Sequence, residues 1–263
     1  MPTGKTEIED TMISRAIVDT YHKKLLSDME LDVAIAGGGP AGLMAAFELA
    51  RFGRKVALFE QKLSIGGGMW GGGIGYNVIV LQESGRAILE ELGIRTEEYA
   101  PGYYTASSIE TVASLALSAV KAGASIYNLL SVEDVMVSDG RISGVVVNWS
   151  AFKIARLHVD PIAIKAQYVI EATGHPLEVL NKVVEKCEVK LATPSGAIEG
   201  ERSMNADLGE SAIMRNTVEI APGLFVVGMA GNAAMGAHRM GPIFGGMLLS
   251  GQKAARAIDK LLS

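Results

Sequence analysis

Val33-Ala34-Ile35-Ala36-Gly37-Gly38-Gly39-Pro40-Ala41-Gly42 is the stretch on which the fold turns. Four apolar residues that suit a buried strand run straight into glycines, and Leu43 to Phe52 then carries a helical pattern stopped by Gly53. Val56-Ala57-Leu58-Phe59 follows as a second strand ending at Glu60. Strand, glycine turn, helix and strand within about thirty residues make a βαβ unit with parallel strands and a right-handed crossover.

Within that unit, Gly37-x-Gly39-x-x-Gly42 is a dinucleotide fingerprint. The first glycine makes the tight turn, the second lets backbone approach a pyrophosphate, and the third lets the helix pack on the strand. Ala41 lies at the start of the helix, whose free N–H groups and positive end face the phosphates. Glu60 stands 18 residues beyond Gly42, with Gln61 next to it, where a carboxylate can take ribose hydroxyls. The fingerprint alone is a weak signal. Its position between a strand and a helix makes an adenine dinucleotide the expected ligand.

Outward from this unit, residues 7–29 carry Ile13, Ile17, Tyr21 and Leu25 every fourth residue, an amphipathic N-terminal helix. A second glycine block, Gly66-Gly67-Gly68-Met69-Trp70-Gly71-Gly72-Gly73, lets the backbone bend over a ligand. Helices are expected at 83–92 and 107–122, and strands at 132–137 and 142–148 flank the hairpin turn Asp139-Gly140. A strand at 162–170 leads into Ala172-Thr173-Gly174-His175 and a helix at 177–186. Residues 188–210, with Pro194, Gly196 and Gly200, read as a mobile loop able to act as a lid. A strand at 224–227 and a helix at 245–262 close the chain. The whole, 1–263, reads as one α/β domain.

Composition narrows the function. Of 263 residues 49% are hydrophobic and 20% charged, with a net charge of −5, which excludes a disordered chain and argues against a protein that grips nucleic acid by its phosphates. The single cysteine, Cys187, excludes a disulfide framework and any cysteine-rich zinc or iron–sulfur site. No basic-then-apolar leader opens the sequence, and its longest uncharged run, 63–82, holds seven glycines and suits a loop better than a membrane span. A cytoplasmic protein is the expectation.

Four further residues suggest chemistry. His158 and Asp160 are two apart, so an extended segment would turn both to one face. His175 falls just beyond a strand, at the carboxyl edge where open α/β sheets place ligands. One imidazole and one carboxylate with open positions beside them suit a divalent metal such as Fe(II). Arg239 offers a planar fork for a carboxylate.

The N-terminal βαβ unit, the meander, Ala172-Thr173-Gly174 and the late Pro222-Gly223-Leu224-Phe225-Val226-Val227-Gly228 together resemble the glutathione-reductase-like, FAD/NAD-binding type of fold. Flavoproteins of that type carry Gly-Asp where this chain has Gly228-Met229-Ala230, so NAD is favoured over FAD. An FAD- or NAD-dependent oxidoreductase on this fold is the alternative.

Residues Gly37–Gly42, Glu60-Gln61, the block at 66–73, His158-Val159-Asp160-Pro161, Ala172–His175 and Arg239–Met247 resemble the thiamine thiazole synthase family in its archaeal form. The similarity runs over about 8–260. The resemblance implies an Fe(II)-dependent enzyme that makes an adenylated thiazole carboxylate from NAD, glycine and sulfide and releases nicotinamide. It implies a homo-oligomer, usually an octamer, with Asp160 and His175 as iron ligands from neighbouring subunits and Arg239 on the glycine carboxylate. Gly68, Val132, His158 and Met229 join the nucleotide site on the same basis. Eukaryotic members carry a sulfur-donating cysteine where this chain has His158. The resemblance therefore implies a multi-turnover catalyst fed by external sulfide.

Overall fold

The apolar runs of the dinucleotide unit are buried on both faces, as parallel strands between two covering layers must be. The computed structural model describes residues 7–263. The polar stretch 1–6, expected to fray, lies outside them. The first half comprises α1 (Asp10–Ser27), β1 (Glu30–Ala36), α2 (Pro40–Arg51), β2 (Val56–Glu60), β3 (Val78–Leu81), α3 (Glu83–Glu91), β4 (Thr96–Ala100), β5 (Tyr103–Ser107) and α4 (Ser108–Ala122). There follow β6 (Ser125–Asn128), β7 (Leu130–Ser138), β8 (Arg141–Trp149), α5 (Ser150–Ala155), β9 (Ile162–Glu171) and α6 (Glu178–Lys186). The last elements are α7 (Ala206–Asn216), β10 (Val218–Ala221), β11 (Leu224–Val226), α8 (Met229–Ala234) and α9 (Gly245–Leu262).

Among the described residues, eight strands form one sheet. Its centre is parallel in the order β11, β9, β1, β2, β6, and β10 joins the β11 edge antiparallel. The expected meander is β7 and β8, which lies antiparallel on β9. Its turn residues Asp139 and Gly140 both have positive φ, 52° and 73°, as a two-residue hairpin of this kind demands. The strand order reverses at β1, which feeds β2 on one side and is flanked by β9 on the other. A crevice at the carboxyl ends of the strands is the consequence.

Alternation along these strands divides the core. Val33, Ile35, Leu58, Ile170 and Phe225 pack with α2, α4 and α9 on one face. Ala34, Ala36, Phe59, Val169 and Val226 point the other way, into the meander, α6 and α8. Helix α1 departs from the pattern its periodicity suggests: Leu25 is buried and Tyr21 half-buried, but Ile13 and Ile17 are 47% and 64% exposed. Within one chain its apolar stripe is only partly covered. No helix among the described residues is long and apolar enough to cross a membrane.

Two regions depart from the sequence reading. Residues 96–107 pair with β3 as a separate three-stranded sheet, which their mixed composition does not announce. The loop expected up to 210 ends earlier, because Asn205 caps α7 by accepting from the Leu208 N–H at 3.1 Å.

Two carboxylates, one buried and one half-buried, hold helix ends. Glu171, fully buried at the end of β9, accepts from the N–H groups of Thr173 at 2.7 Å, Val179 at 2.8 Å and Leu180 at 3.0 Å, and so anchors the start of α6. Glu210 of α7 accepts from Gly246 N–H at 2.7 Å at the start of α9. Burial raises both pKa values above the ordinary carboxylate range; the hydrogen bonds from Thr173, Leu180 and Val179 pull Glu171 back, and that from Gly246 pulls Glu210 back. The folded state therefore holds protons that the unfolded state has released, so stability falls as pH rises from the ordinary carboxylate pKa through the raised one. We expect denaturant titrations of Glu171→Gln to show a shallower fall over that window, at the cost of about 2 kcal/mol from the disrupted anchor. An unchanged pH slope would contradict this reading of Glu171.

Candidate active site

The carboxyl ends of β1, β2, β9 and β11 surround a cavity of about 650 Å³. The fingerprint turn forms its floor. Gly37, at φ 101°, leaves no room for a side chain: a Cβ there would lie 2.5 Å from the Ala172 carbonyl oxygen. A Cβ on Gly42 would lie 2.1 Å from the Gly37 carbonyl oxygen, so α2 packs against its own turn only as glycine. Gly42 accordingly sits behind the cavity rather than in its lining.

Gly39 and Gly68 are different. Both line the cavity, and nothing in the chain comes within 4 Å of where their Cβ would stand. No contact within the protein requires glycine there; the open space beside them lies in the cavity. The two glycine blocks are joined, since Gly66 N–H donates to the Gly38 carbonyl at 2.6 Å and a Cβ on Gly67 would lie 3.1 Å from Gly39 Cα. The second block thus folds directly over the first.

Glu60 ends β2 at the cavity wall, its Oε2 accepting from Gly38 N–H at 2.9 Å and its Oε1 from Lys62 N–H at 2.8 Å. Each oxygen keeps a further lone pair for a hydroxyl donor. Gln61 donates to Glu178 Oε1 at 2.9 Å, and Lys153 donates to Glu178 Oε2 at 3.0 Å, which ties α5 to the cavity rim. Ala41, Val132 and Met229 complete the apolar lining on this side.

His175 and Arg239 also line the cavity. His175 follows β9, with Nδ1 2.7 Å from Glu201 Oε1. Arg239 is exposed, and among the described residues no carboxylate pairs with its guanidinium. A free cationic fork at the mouth of a cavity suits an incoming carboxylate. The 188–210 segment reaches the same mouth through Met204 and is held by backbone hydrogen bonds from Ala192 to Ile220, Glu199 to Ala234 and Arg202 to Ala237.

His158 and Asp160 lie elsewhere. They occupy an exposed segment without regular secondary structure between α5 and β9, anchored by Asn148 Nδ2 donating to the Val159 carbonyl at 3.0 Å, and neither lines the cavity. Among the described residues no group of three or more His, Cys, Asp or Glu side chains could hold a metal within one chain. One imidazole at the cavity therefore fits a metal only if further donors come from substrate or another subunit. Cys187 is remote from this chemistry: it follows α6, packs against the second core, and burial raises its thiol pKa.

Residues 14–244 match the Thi4 family. The chain belongs to that family. Its relatives include the thiamine thiazole synthase of Methanothermobacter thermautotrophicus, 56% identical over 97% of this chain and 99% of that one. The crystal structure of Thermovibrio ammonificans THI4 superposes with a TM-score of 0.93 at 45% identity, covering 98% of this chain and 99% of the other. The myxobacterial halogenase CndH, a variant of FAD-dependent halogenases, shares the fold at a TM-score of 0.55 and 15% identity, over 89% of this chain and 75% of its own. Both the family and the FAD/NAD-binding fold expected from the sequence are thus found.

Sequence reasoning passed over Glu178, Glu201 and Met204. The carboxylates of Glu178 and Glu201 are recognisable only once β9 and the loop after α6 are placed around one mouth. An Asn205 cap ahead of Leu208, Ala212 and Ile213 was the available signal for the start of α7.

Proposed function

We propose that this Thi4-family chain is a thiamine thiazole synthase that converts NAD, glycine and sulfide to an adenylated thiazole carboxylate and releases nicotinamide. The observation that carries the reading is the convergence, on one cavity, of the fingerprint glycines Gly37 and Gly39 and of Glu60 with Arg239 and His175.

The chain's own groups divide the work. The open positions at Gly39 and Gly68 let backbone close on the pyrophosphate, and the α2 N-terminus offsets its charge. Glu60 takes the ribose hydroxyls, which leaves the nicotinamide ribose extending toward His175. Arg239 holds the glycine carboxylate and so presents the glycine amine to the opened sugar that remains after nicotinamide loss. Val132 and Met229 give the nucleotide an apolar wall.

His175 and the Asp160 of a neighbouring subunit would hold Fe(II), with His158 beside them. Bound there, the metal would supply a Lewis-acidic centre able to hold a soft sulfide donor. Sharing between subunits accounts for the exposure of Asp160 in a single chain, and the uncovered stripe of Ile13 and Ile17 on α1 supports a homo-oligomer, for which we propose an octamer. His158 contains no sulfur, and Cys187 lies outside the cavity, so sulfur comes from solution. The location we propose is cytoplasmic, with no nucleic-acid or membrane partner.

The test is anaerobic incubation of folded protein with Fe(II), NAD, glycine and sulfide, followed by mass spectrometry. Nicotinamide release with accumulation of an adenylated thiazole is the expected result. Folded, NAD-binding protein that releases no nicotinamide under these conditions would sink the assignment.

A further inference from the structure

We propose that Glu201 is a positioning residue that fixes the tautomer of His175 and leaves Nε2 as the ring's only lone-pair nitrogen. The inference builds on the reading of His175 as a metal ligand and adds the group that prepares it.

The 2.7 Å contact joins His175 Nδ1 to Glu201 Oε1. An ionised carboxylate can only accept, so Nδ1 must carry the proton. In a neutral imidazole the other nitrogen, Nε2, is then the one able to bind a Lewis acid. Histidines that ligate metals commonly donate their second N–H to a carboxylate, which orients the ring and raises its basicity.

Glu201 is itself held in place. Its neighbour Arg202 donates to the Ala237 carbonyl at 2.9 Å, and the Arg202 carbonyl accepts from Arg239 N–H at 3.2 Å. Asn205 N–H donates in turn to the Arg239 carbonyl at 2.9 Å. One short backbone ladder thus holds the segment next to Glu201 beside that of Arg239, so the group that orients the imidazole and the fork that receives a carboxylate share one frame. The pair is not a stability device: the His175 and Glu201 side chains are 43% and 24% exposed, where an ion pair contributes little. Orientation is what remains for Glu201 to supply.

The experiment uses full-length, metal-free protein and nitrogen-15 correlation spectra of the imidazoles under basic conditions that keep them neutral. Wild-type His175 should show the Nδ1–H tautomer, Glu201→Gln should keep it through its amide oxygen, and Glu201→Ala should lose it to Nε2–H. Anaerobic Fe(II) titration should then give roughly 10–100-fold weaker binding for Glu201→Ala, less for Glu201→Gln, with NAD affinity unchanged in both. An Nε2–H tautomer in the wild type, or a Glu201→Ala protein identical to wild type in tautomer and Fe(II) affinity, would overturn the proposal. If the tautomer follows Glu201 while no form binds Fe(II), the role of Glu201 stands and the metal reading of His175 falls.

Discussion

Replacing His175 or Asp160 by alanine should reduce thiazole formation on the order of 10³-fold or more, because a Lewis-acid centre supplies several kcal/mol at about 1.36 kcal/mol per tenfold. NAD should still bind, since the turn from Gly37 to Gly42 and Glu60 depends on neither residue. Mass spectrometry of the product and calorimetry of NAD binding separate the two effects. Mixing the variants sharpens the test. If each site takes Asp160 from one subunit and His175 from the next, a mixed oligomer regains up to about a quarter of its sites, because that fraction pairs two intact ligands. Mixed oligomers as inactive as their parents would contradict a shared site.

The second large effect separates two glycines of one motif. Gly42→Ala puts a methyl group 2.1 Å from the Gly37 carbonyl oxygen and should destabilise the fold by about 1–3 kcal/mol or more. Gly39→Ala meets nothing in the chain, so stability should stay within about 1 kcal/mol of wild type. The same side chain occupies the space assigned to the pyrophosphate, so NAD affinity should fall about 100-fold or more, a cost of about 2.7 kcal/mol. Denaturant unfolding and calorimetry measure both. A Gly39→Ala protein that binds NAD as tightly as wild type would place the pyrophosphate elsewhere.

The contrast between those glycines also marks what a sequence can reveal. Spacing identified the turn, because the tight turn, the open approach and the helix contact are all local to six residues. It likewise identified the Asp139-Gly140 hairpin, whose positive φ values are a property of the pair itself. Spacing could not tell that Gly67 stacks on Gly39, nor that Glu201 reaches His175 across 26 residues, since such contacts leave no periodic trace. The small sheet of β3, β5 and β4 escaped for a related reason: Thr96–Ala100 is largely exposed and lacks the apolar alternation that marks a half-buried strand. Helix α1 showed the opposite failure. Its stripe was legible, but a stripe does not say whether the surface that covers it belongs to the same chain.

The origin of the sulfur is the claim on which the account most depends, and isotopically labelled sulfide tests it most directly. With Fe(II), NAD and glycine, wild type and Cys187→Ala should both form labelled thiazole in many-fold excess over protein chains, and the protein mass should stay unchanged. Unlabelled product limited to one per chain, with a matching loss of sulfur from Cys187, would contradict it.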